Sequence, residues 1–304
     1  MTPGAAEVTV YEVGPRDGLQ NDSVTLPPRV RAELCDRLAA TGLTRIEAGS
    51  FVSAERVPQM AGAEEVFATV DRRTEVTLAA LVLNLRGLER ALAAGADEIH
   101  LAYPLTDTFA RRNQNMSLED AAATTARMIS DAKAAGVPVT VTLGASFGCP
   151  FEGPVDPGVV IDHVERTARA GADAVLLADT IGVGVPAQVR RLVPAALDAA
   201  RPRPIGLHLH NTRNTGYANA IVGLEHGVSI LDASVGGLGG CPFAPRASGN
   251  IATEDLIYLL EGERVETGVD LDDLISTADW LAAQLGHELS GLVHRAGPFV
   301  PLGG

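Results

Sequence analysis

Short apolar and β-branched runs alternate with longer Ala-, Leu- and Arg-rich stretches along most of the chain. The apolar runs predict strands over 8–13, 44–47, 75–82, 98–101, 137–143, 174–178, 205–210 and 230–235. The stretches between them carry helical spacing. Several close on glycine ahead of a strand, as in Ala40-Thr41-Gly42, Ala93-Ala94-Gly95, Ala134-Ala135-Gly136 and Arg169-Ala170-Gly171. Strand followed by helix, repeated through eight predicted strands, implies an α/β protein with parallel strands closed into a (β/α)8 TIM barrel. An open doubly wound sheet is the competing architecture, but no Gly-x-Gly-x-x-Gly follows the first strand. Residues 253–304 read as a short C-terminal helical extension containing Trp280, packed outside the barrel or at a subunit contact. The span 1–304 is therefore expected to be a single catalytic domain.

A barrel of this kind carries its active site at the C-terminal ends of its strands. Those positions are polar here: Arg16 and Asp17 after the first strand, Glu47 after the second, His100 in the fourth, and Asp179 and Thr180 after the sixth. His208-Leu209-His210 ends the seventh, and residues two apart in a strand share a face, so both imidazoles can reach one point. With Asp17, Asn250 and Glu47 expected at the same rim, mixed nitrogen and oxygen donors suit Mg²⁺ or Mn²⁺ and could also take Zn²⁺ or Co²⁺. Arg16 follows Gly14-Pro15, a rigid turn that aims the next side chains. It reads as a structural partner of Glu47 or Asp179, which does not exclude its also being a guanidinium held against a carbonyl oxygen that becomes an enolate. Cys241 lies in the glycine-rich run 236–242, which is either a plain loop or a mobile lid bringing a thiol over the site as proton donor. Arg111-Arg112-Asn113, expected in the loop after the fourth strand, reads as surface charge or as a contact for a phosphate-bearing ligand. Cys149 is assigned a structural or lining place.

Composition narrows the chemistry further. A formal charge of -14 argues against nucleic acid and anionic membranes as partners. No basic stretch precedes the apolar Val8-Thr9-Val10, and the apolar runs are too short to span a bilayer, so a cytoplasmic location is expected. Three widely spaced cysteines imply no disulfide framework. Lys133 is the sole lysine and sits mid-helix ahead of a glycine stop. A Schiff base needs a lysine in the pocket, so aldol-type chemistry here points to a metal.

Assembled in order, these segments resemble the 3-hydroxy-3-methylglutaryl-CoA lyase family of metal-dependent barrel lyases. The matching residues are Gly14-Pro15-Arg16-Asp17-Gly18-Leu19-Gln20-Asn21, Ile46-Glu47, Val57-Pro58-Gln59-Met60 and Gly148-Cys149-Pro150-Phe151-Glu152-Gly153. Further on stand Asp179-Thr180-Ile181-Gly182, His208-Leu209-His210, Gly239-Gly240-Cys241-Pro242 and Ala247-Ser248-Gly249-Asn250. The resemblance implies a divalent cation held by Asp17, His208, His210 and Asn250. It also implies Arg16 stabilising the enolate, Glu47 supporting it, and Cys241 acting from the glycine loop. The implied reaction is retro-Claisen cleavage of an acyl-CoA substrate to acetyl-CoA and a 3-oxo acid (acetoacetate), with Asp17 or His208 as base, in a homodimer or larger homo-oligomer. The family pattern His-x-His-Asp-Thr is broken by Asn211, which removes a carboxylate expected near the metal, and Arg213 adds a positive charge. Citramalyl-CoA is the alternative substrate. A condensing enzyme using acetyl-CoA and a 2-oxo acid is the alternative reaction, and a non-catalytic binding barrel the last alternative. Only about fifty residues follow Asn250, which favours the lyase over condensing enzymes with a large region after the barrel.

Overall fold

The structure is a computed structural model that describes residues 8–240 and 249–299. Eight parallel strands close a barrel in chain order: β1 (Thr9–Glu12), β2 (Arg45–Ser50), β3 (Thr77–Val82), β4 (Glu98–Pro104), β5 (Val139–Gly144), β6 (Ala174–Asp179), β7 (Ile205–Leu209) and β8 (Ile230–Ala233). Thr9 lies opposite Ile230 and Glu12 opposite Ala233, so β8 pairs back onto β1 and leaves no edge. Each predicted strand is present. The largest change is in β2, which runs past Glu47 to Ser50 with a register irregularity between Glu47 and Gly49. Glu47 thus points into the barrel from within a strand instead of following its end.

The outer ring is α1 (Pro28–Ala40), α2 (Ala63–Thr69), α3 (Leu85–Ala93), α4 (Asp107–Gln114), α5 (Leu118–Ala134), α6 (Pro157–Arg169), α7 (Pro186–Ala200) and α8 (Gly216–Glu225). The C-terminal stretch supplies α9 (Thr253–Gly262), α10 (Leu271–Leu285) and the short α11 (Val293–Ala296). It completes the ring: α9 packs on β8, and α10 lies against both α9 and α1, where the Arg37 guanidinium sits 4.6 Å over the Trp280 ring. The glycine stops at Gly42, Gly95, Gly136 and Gly171 all have positive φ. At Gly42 a Cβ would come within 2.2 Å of the Gly268 carbonyl oxygen, so this helix end requires glycine.

One correction concerns Arg111, Arg112 and Asn113, which belong to α4 and not to a loop. Asp107 and Arg111 pair at 2.6 Å across one helical turn, and the helix ends on Asn115 at φ 58, so this polar segment has its own start and stop.

Strand alternation fills the barrel with an unusually polar interior. Register places Tyr11 beside Asp232, Leu81 beside His100, Ala102 beside Thr142, and Ala178 beside His208. In the lower layer Arg45 donates to both Glu98 oxygens (2.9 and 2.5 Å) and to Thr140 Oγ1 (2.6 Å). Its guanidinium also lies 4.2 Å over the Tyr11 ring. Buried charge of this kind is tolerated only where each partner is present.

Candidate active site

The site begins where β1 ends. The turn Gly14–Gly18 is a single wide helical loop in which the N–H groups of Arg16, Asp17 and Gly18 all reach the Val13 carbonyl (3.2, 2.7 and 3.2 Å). Beneath it the fully buried Glu12 carboxylate accepts from Gly14 N (2.7 Å), Val235 N (2.9 Å) and Thr253 Oγ1 (2.6 Å). Burial is the larger influence and raises its pKa to about 7 despite those donors. The turn is therefore tied to the end of β8 and to the start of α9. The next residues on that side are held similarly: Gly236 N donates to Glu254, another buried carboxylate.

Arg16 emerges from the turn with two of its nitrogens committed. Nε donates to Glu47 Oε2 and Nη1 to Asp17 Oδ1, both at 2.5 Å. Arg16 is thus paired with Glu47, one of its two expected structural partners, and it also lines the central cavity. Neither bond uses Nη2. Behind Arg16, Glu47 Oε1 meets His100 Nδ1 at 2.6 Å, and His100 Nε2 meets Thr142 Oγ1 at 2.7 Å. Burial alone would raise the Glu47 pKa, but Arg16 and then His100 outweigh it and hold the carboxyl below its usual range.

Asp17, His208 and His210 offer ligand atoms that all lie within 4.8 Å of one another. The two imidazoles stand 4.9 Å apart by ring centre. Asp232 on β8 receives His208 Nδ1 at 3.0 Å on each oxygen, which leaves Nε2 as the ligand atom. Asn250 arrives because its backbone pairs with His210, flanked by Asn211 N to Gly249 O and Ile251 N to Leu209 O. Its amide nitrogen donates to Asp17 Oδ2 and to the Leu238 carbonyl, both at 2.9 Å. Two buried atoms are then left with no hydrogen-bond partner, His210 Nδ1 and Asn250 Oδ1. Both lie beside the Asp17 carboxylate, so together with His208 they form a donor set that fits a divalent cation.

Electrostatics separates the two histidines. Burial would lower both. At His208 the Asp232 carboxylate, then Asp17, reverse this and raise the pKa to about 9. At His210 burial and the neighbouring His208 lower it to about 3. Burial acts against Asp17 as well, but Arg16 and both histidines bring its pKa well below the usual carboxylate range.

The cavity of about 190 Å³ above these residues is walled by Leu81, Ala102, Phe109 and Ala178 as well as by the polar groups. Of the basic stretch on α4, Asn113 lines it, while Arg111 pairs with Asp107 and Arg112 sits 4.4 Å over the Phe151 ring. Asp179 does not reach the cation site; it accepts from Val183 N and Gly184 N, closing its own loop. Asn211 turns away to accept from Gly216 N (3.2 Å), and Arg213 binds the Ile181 and Gly182 carbonyls. Their substitution for the family pattern thus falls on loop anchoring and leaves the cation donors in place. Cys149 is buried in a hairpin against Thr106 Oγ1 (3.0 Å). Lys133 pairs with Asp173 on the outer surface at 2.8 Å, away from the cavity. Cys241 lies outside the described residues; its neighbour Gly240 accepts from Asn21 Nδ2 at 2.8 Å.

Sequence reasoning missed Asp232, Glu12 and the partners of His100. The available signal was period-two placement: charged residues inside strands β1, β4 and β8 can be buried only with partners on neighbouring strands.

A closed α/β barrel with a candidate cation site beside a held arginine fits a metal-assisted carbon–carbon lyase. Comparisons with known proteins agree. The HMGL-like family pattern matches residues 7–281. An (R)-citramalyl-CoA lyase of Chloroflexus aurantiacus is 44% identical over 304 residues, 97% of this chain and 96% of that protein. The mitochondrial hydroxymethylglutaryl-CoA lyase of Mus musculus is 39% identical over 290 residues, covering 95% and 89% of the two chains. An HMG-CoA lyase of Acinetobacter baumannii, solved with coenzyme A and 3-methylmalate, superposes with a TM-score of 0.95 at 38% identity, covering 100% of this chain and 99% of that one. The chain belongs to the HMGL-like family. It is a carbon–carbon lyase.

Proposed function

We propose that the protein cleaves a 3-hydroxy-3-methylacyl-CoA bearing a free carboxylate, either 3-hydroxy-3-methylglutaryl-CoA or citramalyl-CoA, to acetyl-CoA and an oxo acid. The observation that carries this reading is the convergence of Arg16 with Asp17, His208 and His210 on one cavity wall. A volume of about 190 Å³ is below the roughly 300–1,000 Å³ that encloses drug-sized ligands. It suits the acyl end of a thioester and leaves the nucleotide outside. There Asn113 and Arg112 on α4 meet the coenzyme, and Arg111, held by Asp107, contributes least.

Asp17, His208, His210 and Asn250 hold the cation, Mg²⁺ or Mn²⁺. When bound it supplies Lewis-acid polarisation of the substrate's hydroxyl and carboxylate oxygens. Arg16 presents Nη2 to the thioester oxygen as it gains enolate charge, while Glu47 and Asp17 fix the other two nitrogens of its fork. Of the two candidate bases, His208 has Nδ1 on Asp232 and Nε2 given to the cation, so it has no lone pair left for the proton, whereas Asp17, held ionised by Arg16 and the two histidines, keeps carboxylate lone pairs to receive it. The hydroxyl proton goes to the base, and the C2–C3 electron pair passes to C2. C3 becomes the carbonyl carbon of the oxo acid. Cys241 returns a proton to C2. We place this activity in the cytoplasm, in a homodimer or larger assembly whose mass light scattering would give.

The decisive experiment supplies the Mn²⁺-loaded protein with both thioesters and follows acetyl-CoA by mass. Acetyl-CoA release supports the lyase reading. Free CoA formed instead from acetyl-CoA and 2-oxo acids would support a condensing enzyme.

Two expectations concern the cation alone. His208, at about 9, holds a proton at pH 7 that a ligand atom must give up. Cation affinity should therefore rise as pH climbs toward 9, with about one proton released per ion at pH 7. Calorimetry in buffers of different ionisation enthalpy reads that proton directly. Asp232→Asn removes the charge behind His208 and should weaken Mn²⁺ binding roughly 10–100-fold. Unchanged affinity would show that Asp232 does not orient a ligand.

A further inference from the structure

The line of groups behind Arg16 has a direction. Glu47 is an ionised acceptor facing His100 Nδ1, so that nitrogen carries the proton. When the ring carries that one proton alone, Nε2 is the acceptor and Thr142 Oγ1 donates to it across 2.7 Å. Thr142 and His100 both line the cavity. With its single proton committed to His100, the Thr142 hydroxyl can offer only lone pairs to whatever reaches it. Leu81, Ala102 and Ala178 line the same layer and are apolar. The cationic groups in the cavity lining, Arg16 and the cation-binding cluster, stand together on one wall.

We propose that this floor, set by His100 through Thr142, makes the cavity selective for acyl groups whose carboxylate sits on the carbinol carbon itself. The proposal rests on the lyase reading above and narrows its substrate class. In such a substrate the hydroxyl and carboxylate oxygens are on adjacent carbons and can both face the Arg16 and cation wall. Only the neutral methyl group then meets Leu81, Ala178 and Thr142. A carboxymethyl arm, as in 3-hydroxy-3-methylglutaryl-CoA, is one methylene longer and more mobile, and it can bring its anion against the patch formed by Leu81, Ala178 and the acceptor-only Thr142, apart from the amide donors Gln20, Asn113 and Gln114 elsewhere in the lining. An anion left without a donor is disfavoured there. Cleavage of the favoured class breaks C2–C3, sends the electron pair to C2 and the hydroxyl proton to the base, and releases a 2-oxo acid with acetyl-CoA once C2 is protonated. Thr142 and His100 are thus specificity-determining and positioning residues in turn, His100 acting through its neighbours.

The test compares kcat/KM of the Mn²⁺-loaded full chain for citramalyl-CoA and 3-hydroxy-3-methylglutaryl-CoA. Wild type should favour citramalyl-CoA at least tenfold. His100→Leu frees the Thr142 proton to serve as a donor to the longer arm. Both rates should fall, because Glu47 loses a partner, but the ratio should move several-fold toward 3-hydroxy-3-methylglutaryl-CoA. In a Thr142→Val background that movement should vanish. If His100→Leu does not fold, Thr142→Asn brings an amide donor to the same place and should shift the ratio the same way. Equal or faster cleavage of 3-hydroxy-3-methylglutaryl-CoA by wild type overturns the proposal, as does a His100→Leu shift that persists with valine at 142. Failure to release acetyl-CoA from either thioester would instead remove the lyase reading beneath it.

Discussion

Arg16→Lys is expected to lower kcat by about 10³-fold, the upper end of what loss of one oxyanion donor costs, while Mn²⁺ affinity changes only a few-fold. The guanidinium does three things at once. It is anchored to Glu47 and to Asp17 by two nitrogens, and it keeps a third edge for the cavity. A lysine ammonium is a point charge on a flexible stem and cannot hold both carboxylates while presenting a directed donor. Because the charge is kept, Asp17 stays ionised and the cation site persists. Single-turnover acetyl-CoA formation and an Mn²⁺ titration on the same protein separate the two effects. A kcat within tenfold of wild type would mean that Arg16 serves the fold and not the enolate.

The second large effect is on the cation itself. His210→Ala should weaken Mn²⁺ binding by at least about 100-fold, beyond the loss that follows removal of an orienting partner behind a ligand. His210 is buried, its pKa is lowered to about 3, and its Nδ1 has no other partner. It is ready to bind without first losing a proton. Wild type at 100 times its dissociation constant should gain about 2.7 kcal/mol of stability, seen as a rise in Tm on adding Mn²⁺. The variant should show almost no rise at that concentration. A wild-type-sized rise in His210→Ala would exclude this residue from the site.

Much of this architecture was legible from residue pattern alone. Strands β5, β6 and β8 match their predicted spans with boundaries shifted by two residues or fewer, because continuous apolar runs bounded by glycine stops have few other ways to be buried. Arg16, Asp17, His208 and His210 could be placed together because a parallel barrel brings strand ends to one rim. What resisted reading was compensation across strands. Glu47 looked like the end of β2 because a lone carboxylate rarely sits in a strand; Arg16 and His100, distant in sequence, make it tolerable. Asp232 was hidden in the same way behind His208. Arg111 was mistaken for loop because α4 is short and polar, with Phe109 and Ala110 its only buried residues and no longer apolar repeat to mark it as a helix.

The buried Arg45, Glu98 and Thr140 set at the base of the barrel carries a consequence for how such a chain can change over generations. Removing either charge alone strands the other away from water, a loss on the order of 3–5 kcal/mol, which is a large share of the stability of most domains. Drift at these positions must therefore pass through joint replacement or be purged. Neutral neighbours such as Leu81, Ala102 and Ala178 face no such toll and can vary one at a time. New substrate preferences in this barrel should therefore arise first among its uncharged wall residues, while the ionic scaffold beneath is inherited as a block.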